Sequence, residues 1–131
     1  MENWSIELWV TEDGVCRVDK DLLKKLRNKE KFLFKSLEEK MRQYTSAKIA
    51  DVQHQKDLEK VKNEVDMWEL KFHLSKNEIR FLGYMDLQKE FSVFYALYAF
   101  KKKNQEIMEK HKIAARNRVK EFTNYFNRNG L

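Results

Sequence analysis

Trp68-Glu69-Leu70-Lys71-Phe72-His73-Leu74-Ser75-Lys76-Asn77-Glu78-Ile79-Arg80-Phe81 decides the fold, because here the apolar period changes from helical to two. Trp68, Leu70, Phe72 and Leu74 fall on one face, and Glu69, Lys71 and His73 on the other. Ser75-Lys76-Asn77-Glu78 supplies a turn, after which Ile79, Phe81 and Met85 resume the apolar face. The spacing predicts a β-hairpin. Pairing Leu74 with Ile79 also pairs Phe72 with Phe81 and sets His73 directly opposite Arg80, with Lys71 diagonal on the same polar face. That register predicts a basic cluster.

Downstream, Phe91 to Phe100 is nearly continuous in aromatic and aliphatic residues, as expected of a strand covered on both faces inside a sheet. Lys101-Lys102-Lys103 stops it and sets three cations at one strand end. Asn104 is placed to cap a last helix whose stripe, Ile107, Met108, His111, Ala115, Val119, Phe122 and Phe126, packs on the sheet. Upstream, Trp4, Ile6, Leu8 and Val10 alternate with polar positions and Trp9 as a first strand, ended by Asp13-Gly14. Asp19 is positioned as the N-cap of a helix carrying Leu22, Leu23 and Leu26, and Phe34, Leu37, Met41 and Tyr44 form a second helical stripe. Residues 46–66 read as helix, loop or both, since Leu58, Val61 and Val65 keep helical spacing in a polar segment. With no proline and three glycines, element ends are poorly marked. The order is strand, helix, helix, three-stranded antiparallel meander, helix: an α+β fold.

The 131 residues suit one domain spanning 1–131, and 42% hydrophobic with 37% charged residues suits a soluble protein with a core. No stretch approaches the roughly 18 apolar residues of a membrane span, and the start of the chain lacks the basic and apolar regions of a signal peptide, so a cytoplasmic location without membrane contact is expected. The single Cys16 forms no internal disulfide and has no histidine beside it to make a thiol nucleophile. Lysine and arginine exceed acids 27 to 21, a net charge of +6 that suits a polyanionic partner. His54, His73 and His111 are not at metal-ligand spacing, and no glycine-rich phosphate loop is present; no metal and no cofactor are expected.

Trp68-Glu69-Leu70-Lys71-Phe72, Ile79-Arg80-Phe81 and Tyr98-Ala99-Phe100-Lys101-Lys102-Lys103-Asn104-Gln105 occur in an order and approximate spacing that resemble the RelE/ParE superfamily of toxins from type II toxin-antitoxin modules. They look most like its phage-derived HigB branch. Ile113-Ala114-Ala115-Arg116 through Phe122 resembles the family's ending, so the likeness covers about residues 66–122. Three departures stand out: the arginine usual after Glu-Leu is Lys71, the usual histidine late in the last strand is Tyr98, and the proline after the paired lysines is absent. The segment from Met41 to Asp66 is longer than usual, as an extended second helix or an insertion.

The resemblance implies a RelE-like fold and a metal-independent endoribonuclease, an mRNA interferase that cuts messenger RNA on the ribosome. It also implies a cognate antitoxin, usually a helix-turn-helix protein. Attack of a ribose 2′-hydroxyl on the adjacent phosphate needs a proton acceptor, positive charge at the phosphorane and a donor for the leaving oxygen. Arg80 and Lys102 are the leading candidates for the charge; the alternative for Arg80 is a salt bridge to Glu69 or Glu78. Lys71 is either a base, if neighbouring cations lower its pKa, or a phosphate contact. His73 and Tyr98 complete the catalytic candidates, and Lys101, Lys103 and His111 are candidate RNA contacts; Tyr84 and Tyr98 are also placed to stack on a base. Two other readings remain: a ParE-like gyrase inhibitor on the same scaffold, and a non-catalytic basic binding module. Arg80 and Lys102 facing one cleft would favour the nuclease; a helix covering the polar face of the sheet would count against it.

Overall fold

The computed structural model describes residues 3–88, 90–102 and 109–129, so Lys103, Asn104, Ile107 and Met108 lie outside the described residues. Its centre is a five-stranded sheet in the order β1-β5-β4-β3-β2, formed by β1 (Asn3–Leu8), β2 (Leu58–Lys60), β3 (Trp68–Leu74), β4 (Asn77–Asp86) and β5 (Phe91–Lys102). β3, β4 and β5 run antiparallel in succession as expected, and β1 joins β5 in parallel. Four helices complete the described α+β fold: α1 (Lys24–Lys29), α2 (Lys31–Ser46), α3 (Ile49–His54) and α4 (Glu109–Arg128), with a wide helical turn at Asp19–Leu23 leading into α1.

Strand alternation divides the core. On one face Leu70, Phe72, Leu74, Ile79, Phe81, Met85 and Phe94 pack against Leu22, Leu23, Leu26, Leu37 and Tyr44 of the N-terminal helices. On the other, Leu82, Leu97 and Phe100 pack under Ala115, Val119 and Phe122 of α4. The helical stripe from His111 to Phe122 is therefore the buried face of α4. Trp9 follows the β1 alternation to that second core, meeting the Phe122 ring edge-on at 5.1 Å.

The hairpin register differs from the sequence expectation. Ser75-Lys76 alone makes the turn, with Ser75 at φ 58°, so Leu74 faces Asn77, Phe72 faces Ile79, Lys71 faces Arg80 and His73 faces Glu78. The shift is two residues, an even number, and every side chain keeps its face. A second irregularity lies between β4 and β5, where Leu82 pairs with Tyr98 but Gly83 with Ala96. The extra residue brings Leu97 and Tyr98 to the α4 side together. Gly83 permits it: a Cβ there would sit 1.9 Å from the Tyr95 carbonyl oxygen.

Asp19 does not cap a helix. The chain is already helical at Val18, and the Asp19 carboxylate pairs instead with Arg27 two turns on. The segment 46–66 resolves into α3 and β2. Leu58 enters the core opposite Leu70, whereas Val65, in the β2–β3 connection, is 83% exposed. Asn63 and Asp66 adopt positive φ in that connection, a conformation open to Asn and Asp without glycine. No described helix is long and apolar enough to cross a membrane.

Candidate functional site

Arg80 projects to the α4 side of the sheet, where it faces Lys71 across β3 and Phe100 across β5. A cleft of about 570 Å³ opens there between β2, the ends of β4 and β5, and the first turn of α4. Lys60, Lys62, Lys102 and Lys112 ring it, Arg80 and Glu69 form its floor, and Glu59 and Trp68 close one side. Arg80 and Lys102 thus share one cleft. Each arrives by strand geometry: β4 carries Arg80 inward beneath the network, and β5 turns Lys102 to the same face two residues beyond Phe100.

The polar face is not the cationic cluster that the sequence suggested. Arg80 is only 7% exposed, and its guanidinium donates to Glu69 Oε2 at 2.9 Å and Glu78 Oε2 at 3.1 Å. Its Nε finds no acceptor among the described residues. Lys71 Nζ donates to Glu59 Oε2 at 2.9 Å. Three carboxylates therefore face two cations, as expected where like charges stand opposite each other on neighbouring strands and need counter-charge. The pairing lowers the pKa values of Glu59 and Glu78. Glu59 is held below the usual carboxylate range chiefly by the Lys71 hydrogen bond. Burial pushes Glu78 up, but the Arg80 charge and hydrogen bonds from His73 and Arg80 outweigh it, leaving a net depression.

His73 is half-exposed and lies opposite Glu78, with Nδ1 2.9 Å from Glu78 Oε1 and Nε2 3.6 Å from Asp57. It borders the network and does not face Arg80. Lys101 points to the other side of the sheet, where its Nζ meets Glu30 at 3.0 Å. Tyr98 and His111 come together: the Tyr98 hydroxyl is 2.8 Å from His111 Nδ1, the imidazole stacks on Phe100 at 3.7 Å, and the Arg118 guanidinium lies 4.9 Å from the Tyr98 ring. Phe100 is the strand partner of Arg80, so this pair stands directly behind the cleft floor. Tyr84 packs against Phe122 and Phe126 in the second core.

Lys60, Lys62, Lys112 and the compensating Glu59 were not singled out from sequence. Lys112 was within reach, since it directly follows His111 in a clear helical stripe. Lys60 and Lys62 were hidden in a segment whose strand is three residues long.

A family model for phage-derived Gp49-like proteins (DUF891) matches residues 32–120, which include every residue lining the cleft. Neither the curated proteins nor the solved structures give a significant match. The matched stretch covers well over half of the chain, from α2 into α4, and the chain belongs to this phage-derived Gp49-like family, a toxin-like family of the RelE/ParE type.

Proposed function

We propose that this chain is the toxin of a type II toxin-antitoxin module and that it cleaves messenger RNA on the ribosome, binding the backbone in the cleft over Arg80. The observation that carries the reading is the convergence of Arg80 and Lys102, from neighbouring strands, on a cleft ringed by Lys60, Lys62 and Lys112. Clustered cations suit the charge that grows on phosphate oxygens during attack by a 2′-hydroxyl. Lys102 and Lys112, both partly exposed, take the first phosphate contacts. An incoming phosphate then competes for the Arg80 fork, displacing Glu78, whose side chain is 38% exposed, more readily than Glu69 at 13%. Tyr98, hydrogen-bonded to His111 behind the floor, is the proton-handling candidate. In the cytoplasm a helix-turn-helix antitoxin would hold this activity in check by covering or distorting the cleft.

The carboxylate pairs on Arg80 favour one other reading, a non-catalytic module that holds RNA at the same place. Induced expression with mapping of mRNA 5′ ends separates the readings. Wild type is expected to arrest growth with ribosome-dependent cleavage, and Lys102→Ala and Arg80→Ala to lose both. Lys102 is a partly exposed residue at a strand end, so its loss leaves the fold intact. Arrest without cleavage would replace the nuclease with a gyrase inhibitor of the ParE kind, and no arrest would leave the binding module.

A further inference from the structure

The cationic excess is concentrated away from the cleft. Residues 24–35 carry Lys24, Lys25, Arg27, Lys29, Lys31 and Lys35 against one acid, Glu30, so this stretch holds five of the chain's six net positive charges. All six cations are exposed. Arg27 is paired with Asp19, and Glu30 with Lys101, while the five lysines have no ion pair among the described residues. They sit on the elbow where α1 breaks at Glu30 and α2 begins, anchored from beneath by the fully buried Leu26 and Leu37. In the middle of the lysines Phe32 is 90% exposed, although its neighbours Leu33 and Phe34 pack on the core. A groove of about 610 Å³ runs from this elbow to the β3–β4 turn, with Lys29, Lys31 and Phe32 on one wall and His73, Ser75 and Asn77 on the other.

The geometry points to a second nucleic-acid surface at the α1–α2 elbow, one that binds single-stranded RNA with its lysines on the phosphates and Phe32 stacked on an unpaired base. An aromatic ring in solvent among cations is what a splayed base can use and a paired one cannot. Ser75 and Asn77 across the groove present polar groups to such a base. The elbow and the cleft lie on opposite faces of the sheet, as the divergence of Lys101 and Lys102 shows. RNA held at the elbow is therefore gripped by side chains other than Arg80 and the cleft-rim lysines, with His73 bordering both places. The choice of RNA over other polyanions rests on the proposed reading of the cleft.

The test is binding of a labelled, unstructured RNA of about 15 nucleotides, enough to span a site of this kind, to the full chain over a range of salt. The triple variant Lys29→Ala, Lys31→Ala, Lys35→Ala is expected to reduce the slope of log affinity against log salt by about 2, at about 0.7 per phosphate contact on a single strand. Phe32→Ala is expected to weaken single-strand binding about tenfold and binding to a fully paired duplex far less. All four positions are exposed, so the fold is preserved. Wild-type affinity and salt slope in the triple variant would overturn the proposal. So would elbow variants that lose binding only to phosphatidylglycerol vesicles, which would make the surface a membrane contact. The cleft reading is judged separately: Lys102→Ala, Lys112→Ala that still cleaves mRNA sinks that reading whatever the elbow does.

Discussion

Arg80 shows what one residue's surroundings add to its identity. Sequence order placed it on the polar face of the hairpin and left two roles open, phosphate contact or salt bridge to Glu69 or Glu78. The structure has both acids on the guanidinium and the cleft beside it. Removing the cation leaves Glu69, 13% exposed, without its partner, so Arg80→Ala is expected to cost about 3 kcal/mol of stability, measured by urea unfolding. Lysine should not restore it, because a single ammonium cannot fork between two carboxylates. Glu78→Gln tests the competition between carboxylate and phosphate. Taking one negative charge off Arg80 should tighten RNA binding about fivefold, the equivalent of about 1 kcal/mol for one partly exposed pair. Weaker or unchanged binding would mean that the Arg80 fork stays with its acids when RNA is present.

At the scale of elements, the faces of the strands were legible and their offsets were not. Alternation from Trp68 to Met85 assigned the buried side of β3 and β4 correctly, because a two-residue slip leaves parity untouched. The turn chemistry that fixed the slip, Ser75 at positive φ, carries no glycine or asparagine signal. The β5 irregularity was equally silent, although Gly83 marks it in retrospect. Gly83→Ala would drive a Cβ into the Tyr95 carbonyl, with backbone on both sides, and is expected to lower stability by at least about 2 kcal/mol. β5 also outruns β1, and its free edge is covered by side chains: the Asp21 carboxylate accepts from the Ala99 N–H, and Arg118 donates to the Leu97 carbonyl and to Asp21. These two residues satisfy backbone groups where a strand would otherwise do so. Arg118→Ala and Asp21→Ala should each cost about 2 kcal/mol, with the double variant losing clearly less than their sum. Additive losses would mean that the two act separately. β2 escaped the sequence reading because its three residues, Leu58-Glu59-Lys60, are too few for alternation to register.

Across the described residues, the acids Asp21, Glu59, Glu64, Glu69 and Glu78 are tied into pairs that brace the sheet and α4, while the lysines of the elbow and the cleft rim make no ion pair there. The pairs make an acid-sensitive fold. Glu59 is held below the ordinary glutamate value of 4.5 chiefly by Lys71, Glu64 chiefly by its hydrogen bonds from Arg116 on α4, and Glu78 by Arg80 and His73 against the upward push of burial. Asp19 is lowered from 3.8 chiefly by Arg27. Each carboxylate therefore binds its proton more weakly folded than unfolded, so its stabilising contribution is complete above the unfolded values and is lost as pH falls through the lower folded ones. The melting temperature should stay nearly level from about pH 7 to about pH 5 and drop steeply below about 4.5. Glu64 is the most informative site, because its carboxylate accepts from both Arg116 Nε and a terminal guanidinium nitrogen and so fastens the β2–β3 connection to α4. Glu64→Gln should lower the plateau while flattening the acid limb, since a neutral amide has no proton to gain. A plateau that falls with the acid limb unchanged would show that the Glu64 pair acts through packing, and that the other carboxylates carry the pH dependence.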